Sequence, residues 1–366
     1  MKFRILHVIT TIDLGGAEKQ LLTLATSQRA AGHEVEILFL KENPKLFPEF
    51  LEADVKVRPE LAKFSFAKQV LSLKKLDVSP EVIVHAHLPR AELLCALALK
   101  SKSFLITRHN SEAFFPGMPK FCSRILSHLV LRKAFASISI SHAVREFLKS
   151  TGELLDEDNN FVIHYGLSDT TVSDKNNPEA DSGIFRIGTV SRLVPQKNIA
   201  LLLRAFGELN SHSSQTFELS VAGVGPLLEE LRTLALQLEI GDLVSWHGQR
   251  KDLTQFYRSL DLFVLPSNYE GFGLVLLEAM SNGIPVVARN ISAISEVLGK
   301  NHPGLVNSND ATHLSKRMDD MLFDKALQRH CLEYQTQRLQ DFSIKKTRTL
   351  HDDLYRKFLF KKGFST

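Results

Sequence analysis

The chain has 366 residues, 44% hydrophobic and 23% charged, inside the globular average, so a disordered chain is excluded and both halves can bury a core. That length is about twice the commonest single-domain size and points to two domains of similar extent. The net charge of +4 is unevenly spread: residues 1–150 carry 22 Lys and Arg against 14 Asp and Glu, whereas residues 151–180 carry 1 against 7.

Short β-rich runs alternate with longer amphipathic runs, the pattern of parallel sheets covered by helices on both faces. RILHVIT (4–10) leads to a helix from Ala17 to about Ala31 and then to EVEILFL (34–40). Nothing is assigned between 41 and 81. VIVHAHL (82–88), a helix over 90–100, FLIT (104–107), a helix over about 119–135, SISIS (137–141) and FVIHYG (161–166) follow. Residues 171–182, polar, acidic and without periodicity, read as a linker. The alternation then restarts with FRIGTVS (185–191), a helix over 198–210, FELSVAG (217–223), a helix over 226–238, VSWHG (244–248), a short helix, LFVLPS (262–267), a helix over about 273–282 and PVVAR (285–289). From Ala311 onward the chain reads as helical. The expected domains are 1–170, completed by a C-terminal helix over 348–366, and 183–347.

No run reaches 18 apolar residues, because Arg132 and Lys133 interrupt one candidate and Lys100 and Lys102 close another, so no membrane-spanning helix is expected. Met1 to Thr10 lacks the apolar length and small-residue cleavage site of a secretory signal, so a cytoplasmic chain is expected, peripheral on the inner face of the membrane if α-helical basic segments dock there. Cys95, Cys122 and Cys331 lack CxxC spacing and are expected to be reduced packing residues.

The strongest constellation follows LFVLPS, in Asn268-Tyr269-Glu270-Gly271-Phe272-Gly273-Leu274 with Glu278 on the next helix. Gly271 and Gly273 let the backbone approach a ligand, and amides of Phe272, Gly273 and Leu274 open a helix, a setting that attracts phosphate. The bland alternative makes Glu270 a helix-dipole partner and Glu278 a solvated residue. Against it, Glu278 sits among Leu276, Leu277, Ala279 and Met280, where a carboxylate needs donors such as a ribose diol. In Ser191-Arg192-Leu193-Val194-Pro195-Gln196-Lys197-Asn198, Arg192 and Lys197 put two cations at one strand end, suited to a diphosphate or equally to a solvated surface. Gly15 and Gly16 in Asp13-Leu14-Gly15-Gly16-Ala17 are explained by a strand-to-helix turn alone. The same holds in Gly223-Val224-Gly225-Pro226, where Pro226 reads as a first helical position. His85 and His87 alternate on a strand and are read as pointing to opposite faces, unable to share a metal. His109, after FLIT, lies at a strand carboxyl end, where a structural role is equally compatible.

The run DLFVLPSNYEGFGLVLLE with AMSNGIPVVA, together with SRLVPQKN and DLGGAEKQL, resembles the retaining glycosyltransferases of family 4, also called group 1, over nearly the whole chain. The resemblance implies an α/β chain of the GT-B class: two Rossmann-like doubly wound domains facing a central cleft, the nucleotide sugar held mainly by the second and the acceptor mainly by the first. It further implies that Arg192 and Lys197 neutralise the donor diphosphate, Glu278 holds the ribose, Glu270 orients the donor sugar beside Gly271, Phe272, Gly273 and Leu274, and Gly15 and Gly16 approach the phosphates. His109 matches a histidine close to the donor sugar. Base contacts are expected from backbone around Trp246 to Arg250, at Gly248 and Gln249. Three positions depart from the pattern: Ser191 where glycine is usual, Val224 where an acidic residue is common, and His164-Tyr165-Gly166 where Asn-Gly often ends the first domain.

Sugar transfer with retained configuration is the expected reaction, in bacterial surface polysaccharide or lipopolysaccharide synthesis. No Asp-x-Asp sits at a strand end, so neither metal nor cofactor is expected, and nucleic acid is not an expected partner. A glycan or lipid-linked acceptor is. The rival readings are a non-catalytic nucleotide-sugar-binding subunit of an assembly complex and a nucleotide-sugar epimerase of the same fold. The run from Lys120 to Lys133 interleaves Lys120, Arg124, Arg132 and Lys133 with Phe121, Ile125, Leu126 and Leu129. It reads either as an interfacial helix for an anionic membrane or as a core-facing helix with a solvated basic side.

Overall fold

The alternating runs form two parallel sheets in a computed structural model that describes residues 2–42, 44–76, 78–168 and 183–364. The run read as a linker lies outside the described residues. One compact unit comprises Met1–Ser168 and Phe342–Thr366, the other residues 169–341.

In the first unit the chain runs β1 (Arg4–Ile9), α1 (Gly16–Ala30), β2 (Glu34–Phe39), α2 (Phe47–Glu52), β3 (Lys56–Arg58), α3 (Phe66–Lys75), β4 (Val82–His87), α4 (Pro89–Ala98), β5 (Phe104–Arg108), α5 (Lys120–Lys133), β6 (Ala136–Ser139), α6 (His142–Ser150) and β7 (Asn160–Val162). The sheet order is β3-β2-β1-β4-β5-β6-β7, every pair parallel. The order reverses at β1, which pairs with β2 through Arg4↔Glu34 and with β4 through Arg4↔Val82. Helices cover both faces, which is why β5 is buried at every residue and opens on the apolar run Phe104–Ile106. Between 41 and 81, β3 and α2 escape a reading by period because they are short, three residues and six with a proline near the start; α3 and α6, unassigned in the sequence reading, are ten and nine residues long.

The second unit runs β8 (Ile184–Val190), α7 (Ile199–His212), β9 (Thr216–Ala222), α8 (Leu228–Gln237), β10 (Val244–Gly248), α9 (Thr254–Arg258), β11 (Leu262–Leu265), α10 (Leu274–Ser281), β12 (Val286–Arg289), α11 (Ser292–Leu298), β13 (Leu305–Val306), α12 (Ala311–Phe323) and α13 (Lys325–Leu339). Its sheet order, β10-β9-β8-β11-β12-β13, reverses at β8. The final helix, α14 (Ile344–Lys361), belongs to the first unit, where Tyr355 and Phe358 pack with Ile5, Ile37 and Ile138.

Several expectations are corrected. The strand read over 161–166 ends at Val162, because the chain leaves the sheet and Gly166 bonds through its N–H and carbonyl to the Gln20 side chain. Pro226 stands two residues before α8 rather than at its first position. Cys122 is exposed, since α5 turns Ser123, Ser127 and Val130 inward. His85 and His87 share a face, because side chains alternate with a period of two and residues two apart point the same way; their rings lie 4.3 Å apart.

Candidate active site

Sheets of this kind bind ligands outside the carboxyl ends of strands flanking the order reversal. In the second unit those strands are β8 and β11, and the two loops that leave them are stitched together. The Asn268 N–H donates to the Gln196 carbonyl at 2.8 Å, the Asn268 amide to the Pro195 carbonyl at 3.2 Å, and the Gln196 amide to the Tyr269 carbonyl at 3.0 Å. This stitching brings Lys197 to Glu270. The Nζ lies 2.5 Å from Oε1, which also accepts the Ser267 hydroxyl at 2.7 Å. The pair is largely buried, the side chains being 14% and 6% exposed. Two groups that the resemblance assigns to different parts of the donor therefore form one ion pair.

Arg192 is exposed one residue beyond the buried Ser191, and its guanidinium reaches Gln196 Oε1 at 3.4 Å. Leu193 is fully buried, so the exposed Arg192 stands between two buried neighbours, Ser191 and Leu193. Gly223 and Gly225 make this possible: a Cβ on either would overlap the Ser191 or the Leu193 carbonyl oxygen, and Gly223 has φ +141. The backbones touch there, with the Leu193 N–H on the Val224 carbonyl at 3.0 Å and the Gly223 N–H on the Gly248 carbonyl at 2.7 Å.

Gly273, at φ +91, caps α10, whose start at Leu274 carries no side-chain cap. Phe272 is buried. One turn on, Glu278 Oε2 accepts the hydroxyl of Tyr257 at 2.7 Å, and the carboxylate is half-buried. Tyr257 thus supplies one of the donors that the apolar surroundings of Glu278 call for. Gly248 ends β10 at φ +65 with open space around its α-carbon, and Gln249 beside it is exposed.

In the first unit the reversal flanks β1 and β4. Gly15 and Gly16 start α1 after β1, and a Cβ on Gly15 would overlap the carboxylate of Glu18, which accepts the Thr11 hydroxyl at 2.7 Å. His109 follows β5. Its Nδ1 is 2.5 Å from the Tyr165 hydroxyl and its Nε2 3.1 Å from His87 Nδ1. Burial holds its pKa down at about 3, so the ring is neutral. His87 Nε2 meets His7 Nδ1 at 2.9 Å, and His7 Nε2 meets Gln28 Oε1 at 2.9 Å. His85 bonds instead to the hydroxyls of Tyr355 and Thr107. Nitrogens of His7, His85 and His87 lie within 4.8 Å of one another, and every ring nitrogen of the three is already engaged in a hydrogen bond.

The family model for group 1 glycosyl transferases matches residues 172–338, and that for glycosyltransferase family 4 matches residues 14–170. The chain belongs to the group 1, family 4 glycosyltransferases. This glycosyltransferase is 25% identical over 358 residues to an α-1,4-N-acetyl-D-galactosaminyltransferase of Campylobacter jejuni named for an undecaprenol-linked glycan, covering 93% of this chain and 95% of the relative. It is 28% identical to the phosphatidyl-myo-inositol mannosyltransferase of Mycolicibacterium smegmatis, over 86% of this chain and 82% of that one. Among solved structures, Anabaena HepE in complex with UDP and glucose superimposes with TM-score 0.81 at 19% identity, over 97% of this chain and all of that one. The fold is GT-B.

Sequence reading missed several residues of this glycosyltransferase's candidate site. Arg289 is one: it donates to the Asn268 side chain at 2.7 Å, and only the pairing of β11 with β12 brings it to the loop that Asn268 opens. Tyr257, on the five-residue α9, carries no local signal of its bond to Glu278. The two glycines at 223 and 225 were visible, and their close approach to the Arg192 loop was not.

Proposed function

We propose that this glycosyltransferase moves a sugar, with retained configuration and without a metal, from a nucleoside-diphosphate donor to a glycan or lipid-linked acceptor in bacterial surface polysaccharide or lipopolysaccharide synthesis. The observation that carries the reading is the Lys197–Glu270 pair, held by Ser267 between the loops of β8 and β11 with Arg192 exposed beside it. Breaking the bond from sugar to diphosphate develops negative charge on the leaving oxygens and positive charge at the anomeric carbon. Arg192, Lys197 and the start of α10 meet the first, while Glu270 lies with the sugar that develops the second, an arrangement of preorganised electrostatics. Glu278, set by Tyr257, takes the ribose hydroxyls; Gly248 and Gln249 border the base. In the first unit, Gly15, Gly16 and His109 are the residues that match the family's pattern. The name of the Campylobacter relative supports a lipid-linked acceptor, and the complex of HepE with UDP and glucose supports a nucleotide-sugar donor.

The test is hydrolysis of a panel of UDP-, GDP- and ADP-sugars by the purified protein in EDTA, with calorimetry of the matching nucleoside diphosphate. Hydrolysis of one donor class is expected, with Glu278→Gln weakening nucleotide binding and Glu270→Gln mainly lowering the rate. Binding without turnover would favour the non-catalytic subunit, activity restored only by a divalent ion would overturn metal independence, and unchanged nucleotide affinity in Glu278→Gln would remove its ribose role.

The same reading places the first unit on an anionic membrane surface. α5 buries Ser123, Ser127 and Val130, while Phe121 and Ile125 stand 66% and 50% exposed beside the exposed Lys120 and Arg124. Large apolar side chains turned outward among cations suit a lipid interface better than water.

A further inference from the structure

A cavity of about 940 Å3 opens in the first unit at the amino ends of four strands: Val82 begins β4, and Ser103, Phe135 and Asn159 precede β5, β6 and β7. This is the edge of the sheet opposite to the carboxyl ends where ligands of such folds are usually held. The floor is apolar. Leu73 and Val84 are buried there, and Val78, Leu99, Phe135 and Phe364 continue it, partly exposed. Five lysines line the same cavity: Lys74 at the end of α3, Lys100 and Lys102 after α4, and Lys361 and Lys362 at the end of α14. Four are exposed and Lys362 is half-buried. The Lys102 Nζ donates to the Ala134 carbonyl at 2.9 Å and the Lys362 Nζ to the Pro80 carbonyl at 3.3 Å, so both are held by groups without charge. Among the described residues no Asp or Glu lines the cavity, and none of the five lysines has an ion pair. Glu81, although next to Val82, does not line it. The carboxylate of Asp156, which feels the charge of Lys102, is taken up by the N–H groups of Asp158 and Asn159 and by the Asn159 side chain.

Lysines at helix ends offset the helix macrodipole, which accounts for their sign. It does not account for five of them around one apolar floor with no carboxylate between them, nor for a half-buried Lys362 whose pKa burial lowers. We propose that this cavity binds one molecule of an anionic lipid, its phosphate among the five lysines and its acyl chain on the apolar floor. The unpaired cations select an anion, and the floor selects one with an apolar body: free phosphate would meet the lysines and leave the floor in water, whereas a neutral lipid would cover the floor and leave the cations unpaired. The site is independent of the donor reading, because every residue that lines it belongs to the first unit and none is a candidate residue for sugar transfer. It is also separate from the outer face of α5, no residue of which lines it.

Calorimetry of the full-length protein with dihexanoyl phosphatidic acid, kept below its micellar concentration, tests this without a membrane. Saturable binding of one molecule is expected, at least about tenfold tighter than that of dihexanoyl phosphatidylcholine or of inorganic phosphate. Lys100→Gln with Lys361→Gln, both exposed side chains, is expected to weaken it about tenfold or more. Ser79→Glu places a carboxylate at the cavity wall as a competing partner for the lysines and is expected to cause a loss of the same size. Arg124→Glu, on the exposed side of α5, is expected to leave the affinity unchanged. Phosphatidylcholine bound as tightly would reduce the site to an apolar groove, and phosphate bound as tightly would make it a site for free anions; either result overturns the proposal. So does the absence of binding, or an affinity indifferent to the paired lysine substitutions. An equal loss in Arg124→Glu would assign the lipid to α5 instead. Should Ser79→Glu fail to fold, the paired lysine substitutions and the three ligands still decide.

Discussion

Lys197 and Glu270 show how far a single pair can serve both folding and chemistry. Each removes the need to solvate the other in a largely buried setting, so deleting one leaves an uncompensated charge. Lys197→Ala is expected to destabilise the second unit by about 3 kcal/mol in urea titration and to lower turnover at least about a hundredfold. Lys197→Met combined with Glu270→Gln should recover stability and leave turnover low, separating the two roles; near wild-type turnover in Lys197→Ala would remove Lys197 from the machinery. Gly223 makes a purely steric case. Its φ of +141 and the overlap of a Cβ with the Ser191 carbonyl oxygen admit no side chain. Gly223→Ala is expected to cost about 2 kcal/mol or more. A variant as stable as wild type would show that the Arg192 loop can move aside.

Among elements, α5 packs Val130, Leu126 and Leu131 against the core with Ser123 and Ser127 buried beside them, and still leaves Phe121 and Ile125 outward. The helix does bury an apolar stripe, Val130 with Leu126 and Leu131 against the core, so the core-facing reading accounts for that side and leaves Phe121 and Ile125 on the outer one. Sedimentation with anionic vesicles is expected to carry the protein down, with binding weakened by salt and by Arg124→Glu with Arg132→Glu, each basic residue near the surface contributing about 1 kcal/mol. Soluble donor hydrolysis should persist. Equal binding to neutral and anionic vesicles, or to neither, would refute an electrostatic interface.

For the molecule as a whole, acid stability follows from the histidines gathered in the first unit. Burial lowers the pKa of His7 to about 4 and of His109 to about 3, and also lowers those of His85, His87 and His351, while the unfolded rings titrate near 6.5. Below pH 6.5 the unfolded chain therefore binds more protons than the folded one, and stability falls as pH falls, by about 1.4 kcal/mol per pH unit for each fully shifted ring. Glu92, raised to about 7 by burial beside Arg108, acts in the opposite sense, one group against five. The first unit is expected to unfold before the second between pH 6.5 and 4 in a circular-dichroism titration, and His87→Phe or His109→Phe should flatten the slope. Stability that rises on acidification would contradict the neutral-ring assignment.

Periodicity alone determined most of the strands, both sheets' parallel character and the loops at which the candidate site lies, because a doubly covered parallel strand must be apolar on both faces and the turn after it needs glycine or a polar break. The shared face of His85 and His87 was also present in that period of two. What only the tertiary structure decided are the meetings of residues far apart in sequence. Lys197 with Glu270, Gly223 with the Ser191 carbonyl, Glu278 with Tyr257, and the line from Tyr165 through His109, His87 and His7 to Gln28 are set by which strands become neighbours. Local patterning reports the environment of each residue, buried or exposed, apolar or polar. It carries no record of which buried polar group will satisfy which other, and that choice rests with the strand order and the long-range packing that enforces it.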